Sequence, residues 1–295
     1  MRKKPQYFLL GAPKCGTTAL ASYLADHPLV YVSKPKEPHY FCKDLKAGGI
    51  PIKSDEMYLD TFFPGLDESK ALAAIDCSVW YLYSEVAVEE VLRFEPDAKF
   101  LVMLRNPVKM LWSLYSMLTF QGQEDQSDFM SAWQLQEARQ NGRDLPLGLW
   151  LDKKMLLYKK VCSLGSQLKK VLDKVDPSQV HIEFQDNLNK DTRNTYIRVL
   201  QFMEVPDDGR TIFKKKNSGR KIKSPLIYNI LRSQPIMDAA VAAKKALGLR
   251  TFGFGRPDLP LPEDVGFFLS KQFEDEISML ENLLNINLAN WRHGH

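Results

Sequence analysis

Three stretches of this 295-residue chain carry residues whose types and spacing suit the handling of an anion. The first is Gly11-Ala12-Pro13-Lys14-Cys15-Gly16-Thr17-Thr18, set between the apolar run Tyr7-Phe8-Leu9-Leu10 and the helix-forming run Ala19-Leu20-Ala21-Ser22-Tyr23-Leu24. A buried strand, a glycine-bearing turn and a helix start leave backbone N–H groups converging on one spot, where the helix dipole favours negative charge. Lys14 adds a mobile cation, and Thr17 and Thr18 add hydroxyl donors. That is the chemistry of a phosphate or sulfate cradle. The plainer reading is an ordinary strand, turn and helix with a surface lysine.

The second stretch is Arg105-Asn106-Pro107-Val108, which follows the most strand-like run of the chain, Ala98-Lys99-Phe100-Leu101-Val102-Met103-Leu104. Pro107 is well placed to open a helix. A cation at the carboxyl end of a strand, beside a new helix N-terminus, stands where α/β folds bind anionic ligands. The third stretch, residues 213–223, is basic at six of its eleven positions around an Asn217-Ser218-Gly219 turn. A solvated loop or a nuclear-localisation-like patch explains the third stretch equally well.

Acid–base chemistry has one further candidate. Ser33-Lys34-Pro35-Lys36-Glu37-Pro38-His39-Tyr40-Phe41 reads as a loop, and it sets a carboxylate and an imidazole two residues apart beside aromatics. The alternative is a surface loop whose Tyr40 and Phe41 tuck into the core.

Spacing decides between kinds of cradle. A Walker A loop places its lysine directly after the second glycine, whereas here Thr17 follows Gly16 and the lysine lies two places earlier. The order Pro13-Lys14-Cys15-Gly16-Thr17-Thr18-Ala19-Leu20 instead resembles the PK-x-G-T-T-x-L loop of sulfotransferases that use PAPS (3′-phosphoadenosine 5′-phosphosulfate). The resemblance implies that residues Lys14, Cys15, Gly16, Thr17, Thr18 and Ala19 bind the 5′-phosphosulfate of the donor, with Lys14 guiding charge onto the leaving phosphate. Arg105 with Ser113 eight residues on is similar to the family motif that grips the 3′-phosphate. Ser218, Gly219 and Arg220 sit where the family has a late basic loop that closes over the donor.

KEPHYF resembles the E-x-H-F-F segment of carbohydrate sulfotransferases, particularly the heparan sulfate glucosaminyl type. That resemblance implies Glu37 as catalytic base, which takes the acceptor's proton, with His39 orienting it, touching the substrate or serving as the base in its place. Where the related enzymes read E-K-T-P-A-Y, this chain reads Asp76-Cys77-Ser78-Val79-Trp80-Tyr81. Cys77 thus replaces a lysine that helps at the active site, which leaves the acceptor side open. Lys36, His39, Trp80 and Tyr81 are the candidate acceptor contacts. Trp80 and Tyr81 either stack on a sugar or aromatic acceptor or pack below the sheet.

The elements that must position these residues follow from apolar patterning. Strands are expected at residues 7–10, 29–32, 71–75, 98–104 and 179–184, and helices at 19–24, 55–63, 84–94, 107–120, 192–203, 224–247 and 262–284. Residues 150–175 read as one amphipathic helix with Leu151, Met155, Tyr158, Val161, Leu168 and Leu172 on its apolar face. His181 reads as a strand histidine, and Leu288-Ala289-Asn290-Trp291 as the segment that closes the fold.

Composition fits this reading. Hydrophobic residues are 44% and charged residues 26%, as in an ordinary globular protein. Forty basic against thirty-six acidic residues give +4, too mild a charge to mark a nucleic-acid binder. Four dispersed cysteines without CxxC pairs suggest neither a zinc site nor a disulfide framework. The apolar run before Gly11 is too short for a signal sequence or membrane anchor. The expectation is a single domain over residues 1–295, α/β and P-loop-like, with a central parallel sheet flanked by helices. It would be soluble and cytoplasmic, or the soluble catalytic domain of a Golgi-anchored parent. Its reaction would move a sulfuryl group from PAPS to a hydroxyl or amine of a glycan or small molecule, with PAP as product and no metal. Two other classes compete: a P-loop-like nucleotide kinase, for which the chain lacks a Walker lysine and an aspartate after the FLVML strand, and a non-catalytic nucleotide or anionic-glycan binder.

Overall fold

The computed structural model describes residues 4–48, 50–67, 70–214 and 260–292. Its centre is a five-stranded, all-parallel sheet in the order β2-β3-β1-β4-β5. The strands are β1 (Tyr7–Gly11), β2 (Val30–Val32), β3 (Ala73–Cys77), β4 (Lys99–Leu104) and β5 (Val180–Phe184). Parallel strands covered on both faces need near-continuous apolar runs, and all five residues of β1 are buried. Phe8 stands opposite Asp76 of β3 on one side and Phe100 of β4 on the other.

Helices α1 (Thr17–Ala25), α2 (Asp55–Phe62), α3 (Ala87–Phe94) and α4 (Pro107–Phe120) lie between the first four strands and after β4. One continuous hydrophobic core extends from Tyr7 to Trp291. Ser84, expected to be helical, instead stands just before α3 and accepts the N–H of Ala87 at 3.0 Å. The closing role of the tail holds: Trp291 is buried, and its carbonyl accepts from Asn106 Nδ2 at 3.0 Å. His181 lies in β5 with Nε2 3.0 Å from Glu183 Oε1.

Three expectations need correction. Strand β3 runs two residues later than its apolar stretch, taking in Asp76 and Cys77. The expected helix over residues 150–175 is broken into Lys153–Leu156, Tyr158–Val161 and Leu164–Leu172. Gln167 Nε2 donates to the carbonyls of Lys160 and Val161 at 2.8 and 3.0 Å, satisfying groups that a continuing helix would have bonded. The helix expected over 262–284 is likewise two, Glu263–Gln272 and Glu274–Leu284. The helix expected over 224–247 lies outside the described residues. No described helix is long and apolar enough to cross a membrane.

One polar cluster braces the α4 side. Arg139, fully buried, donates to both carboxylate oxygens of Glu124 at 2.6 and 2.7 Å, and Tyr158 donates to Glu124 at 2.6 Å. A buried ion pair is tolerated only when its remaining groups are bonded in this way.

Candidate active site

The first anion motif forms where β1 stops. Gly11 has φ +137°, and a Cβ there would lie 2.4 Å from the Val79 carbonyl oxygen, so no other residue fits beside β3's outgoing chain. Ala12 N–H donates to Met103 of β4 at 2.8 Å, fixing the turn to the sheet. The chain then turns through Lys14 (φ 66°) and Gly16 (φ 86°), and Gly16 caps α1. The Gly16 carbonyl accepts from Ala19 and Leu20 at 3.0 and 3.2 Å. The amides of Gly16, Thr17 and Thr18 have no partner among the described residues, which is the open first turn that attracts an oxyanion.

Not every residue of the loop points the same way. Cys15 is fully buried, with its thiol against the Pro13 carbonyl at 3.5 Å and its amide on the Ala12 carbonyl at 3.3 Å. Burial pushes that thiol up to about 12, against the opposing charges of Arg105 and Lys14. The amides of Cys15 and Ala19, both expected to contact the donor, are taken up by the loop's own carbonyls. Lys14 Nζ lies 3.7 Å from Met117 Sδ of α4.

The second motif meets the first directly. Arg105, at the end of β4, donates through Nη1 to the Lys14 carbonyl at 2.9 Å. Asn106 caps α4, its Oδ1 accepting from Val108 and Lys109 at 2.9 and 3.3 Å, and Pro107 opens the helix as expected. Ser113 precedes Met117 by one turn, so both lie on the face of α4 that meets Lys14. Ser218, Gly219 and Arg220 lie outside the described residues.

The Glu37 loop lines up against the neighbouring strand. Glu37 N–H donates to the Cys77 carbonyl at 3.1 Å, and Cys77 pairs with Leu9 of β1. The loop and the cradle thus sit at the carboxyl ends of adjacent strands, where open parallel sheets take their ligands. One Glu37 oxygen is ion-paired with Lys36, and the other lies 3.3 Å from His39 Nε2. Burial raises the Glu37 pKa, but the hydrogen bond from His39 and the charge of Lys36 outweigh it and hold the carboxyl down to about 2. The His39 side chain is 7% exposed, and its Nδ1 is buried without a partner among the described residues.

The expected acceptor contacts divide. Lys36 and His39 stand against Glu37. Trp80 and Tyr81 are buried, at 5% and 0% exposure, with Trp80 edge-on to Tyr83 and the Tyr81 hydroxyl turned inward onto Asp76. Both side chains belong to the hydrophobic core, and Tyr81 has no exposed face. Cys77 is fully buried, and burial raises its thiol pKa despite the nearby charge of Lys36.

Sequence reasoning missed Asp76 and Ser78, which lie beneath the Glu37 loop. A signal was present, because an aspartate ending the run Ala73-Ala74-Ile75 must find hydrogen-bond donors if that run is a buried strand. Among the described residues no group of histidines, cysteines and carboxylates is arranged to hold a metal ion. The donor set of the cradle is three amides, an ammonium and a guanidinium, which suits a multiply charged oxyanion.

Comparison with known proteins agrees with this geometry. A family profile described as "Sulfotransferase domain" matches residues 4–238. Carbohydrate sulfotransferase 15 of Rattus norvegicus is 31% identical over a match covering 39% of this chain and 27% of that protein. Bifunctional heparan sulfate N-deacetylase/N-sulfotransferase 2 of Homo sapiens is 31% identical over 38% of this chain and 12% of its own length. The chain thus matches about a quarter or less of the length of these relatives. A crystal structure of a sulfotransferase from Alicyclobacillus acidocaldarius superposes with a TM-score of 0.73 at 22% identity, covering 99% of this chain and 100% of the other, a likeness of fold.

Proposed function

The chain belongs to the sulfotransferase family, and on that premise we propose that it transfers a sulfuryl group from PAPS to a hydroxyl or amine of a glycan or small-molecule acceptor. PAPS, when bound, supplies the sulfuryl group and a phosphate able to leave. In the proposed reaction the acceptor's oxygen or nitrogen forms a bond to sulfur as the bond from sulfur to the 5′-phosphate oxygen breaks, and the acceptor's proton passes to Glu37. Lys14 and the amides of Gly16, Thr17 and Thr18 stabilise the charge gathering on that phosphate. This is electrostatic and positional catalysis. Arg105 and Ser113 hold the 3′-phosphate, and Ser218, Gly219 and Arg220 are assigned to the donor on the resemblance alone.

The observation that carries this reading is the contact between Arg105 and the Lys14 carbonyl, which joins the two anion motifs at the carboxyl end of the sheet beside Glu37. Glu37 rather than His39 is assigned as base. Nε2 of His39 faces Glu37 and Nδ1 is buried, so neither ring nitrogen is turned toward an incoming acceptor. His39 orients the carboxylate, and Lys36 shields it. A glycan is the favoured acceptor class, given the names of the relatives, while the loss of the lysine at Cys77 admits a less anionic one.

The test is sulfate transfer from radiolabelled PAPS across glycans, phenols, amines and alcohols, with Glu37→Gln beside the wild type. The variant is expected to keep its PAPS affinity by calorimetry and to lose turnover. A variant that turns over normally would remove Glu37 as the base, PAPS binding by the wild type without transfer to any acceptor would leave a binding protein, and tight ATP binding without PAPS binding would return the kinase.

A further inference from the structure

Asp76 is fully buried in β3. Its carboxylate is bonded to Tyr58 and Tyr81, whose rings belong to a cluster with Phe8, Phe41 and Phe94 in which Phe41 meets each of the other four rings edge-on or tilted. A carboxylate there persists only if hydroxyls or amides satisfy it. Three hydroxyls do so: Ser78 donates to Oδ1 at 2.6 Å, and Tyr58 and Tyr81 donate to Oδ2 at 2.7 and 2.9 Å.

Two of these hydroxyls also face the other way. Ser78 Oγ accepts the His39 N–H at 3.0 Å, and the Tyr81 hydroxyl accepts the Phe41 N–H at 3.4 Å. A hydroxyl has one proton to give. Because Asp76 takes that proton in both cases, the lone pairs of Ser78 and Tyr81 are turned toward the loop. Tyr58 touches the same carboxylate without being bonded to a loop amide.

The loop so held is a costly one. Glu37 and His39 are both non-glycine residues with positive φ, +68° and +53°, a conformation that persists only where surrounding contacts enforce it. The Glu37 amide is tied to Cys77 O, the His39 amide to Ser78 and the Phe41 amide to Tyr81. Every second residue from 37 to 41 is therefore anchored, and the last two anchors both lead to one carboxylate.

We propose that Asp76 is a positioning residue for the proposed transfer: through Ser78 and Tyr81 it orients the acceptors that hold the His39 and Phe41 amides, and so fixes the loop that carries Glu37. The proposal rests on the sulfotransferase reading of Glu37 for its kinetic consequence but not for its structural one.

The experiment compares Ser78→Ala, Ser78→Thr, Tyr81→Phe and Tyr58→Phe by two readouts. One is hydrogen exchange of the peptide spanning residues 33–42 with no donor or acceptor present. The other is kcat, read beside PAPS affinity. Ser78→Ala and Tyr81→Phe are expected to speed exchange of the loop and lower kcat about tenfold to a hundredfold, since a misplaced reacting group costs that much, while PAPS affinity stays within about twofold. Ser78→Thr keeps the hydroxyl and restores both. Tyr58→Phe removes an equally buried bond to Asp76, so it costs stability alone. Unchanged exchange in Ser78→Ala and Tyr81→Phe, or an equal kcat loss in Tyr58→Phe, overturns the proposal. Faster loop exchange in Ser78→Ala and Tyr81→Phe, with no sulfate transfer by the wild type, would uphold the positioning role and instead sink the assigned reaction.

Discussion

Arg105 Nη1 donates to the main-chain carbonyl of Lys14 at 2.9 Å, so the cation that ends β4 holds the turn that follows β1. The contact gives Arg105 two tasks, bracing the cradle and, in the proposed function, binding the 3′-phosphate.

The two tasks separate with two donors. Adenosine 5′-phosphosulfate lacks the 3′-phosphate, so Arg105→Ala is expected to weaken PAPS by about tenfold to a hundredfold, the value of a charge-assisted hydrogen bond. The truncated donor should weaken by only a few fold, through the lost brace on Lys14. Calorimetric titration of both donors measures this. Equal losses would mean that Arg105 acts only through the loop.

Lys14→Ala is expected to lower kcat on the order of a hundredfold or more with either donor, because its ammonium acts where charge develops. Turnover near that of the wild type would remove the main support for the cradle's catalytic role.

Glu37 gives a pH test. Its pKa in the fold, about 2, lies below the ordinary 4.5, so its ionised form stabilises the fold above the ordinary value. That contribution fades as pH falls from 4.5 toward 2. The Tm advantage of wild type over Glu37→Gln should shrink across that window and stay level above it. The acid limb of kcat/KM should likewise lie below about pH 4. A Tm difference that is constant throughout the window would contradict the pairing with Lys36 and His39.

Arg139→Met strands the Glu124 carboxylate in the core and is expected to cost about 3–5 kcal/mol. Adding Glu124→Gln should recover much of that loss, because the uncompensated charge goes with it. Urea unfolding of the single and double variants decides the matter, and additive losses would show that the pair is not coupled.

The sequence made β1, its turn and α1 legible because their signals are local: an apolar run, a glycine where the backbone needs positive φ, and small residues that start a helix. Arg105-Asn106-Pro107 was readable for the same reason. The break between residues 150 and 175 was not, since it depends on where the Gln167 amide folds back. Tyr81 was ambiguous because a tyrosine beside a site looks the same whether its ring faces solvent or its hydroxyl faces inward. Asp76 was hidden more deeply. Its donors come from α2 and the chain after β3, and the amides it governs come from the loop after β2.

The strand order carries a consequence for how this protein can change. β1 is the axis: β4, on one flank, leads into Arg105, and β3 and β2, on the other, hold the Glu37 loop. On the proposed assignments, the grip on a common reagent and the choice of what receives its cargo therefore descend from different sides of one strand. The loop after β2 can be rewritten while the Lys14–Arg105 contact is left alone. The fold is in this sense a fixed handle with an exchangeable bit, and grafting the loop after β2 from another member is the natural way to give this chain a new acceptor.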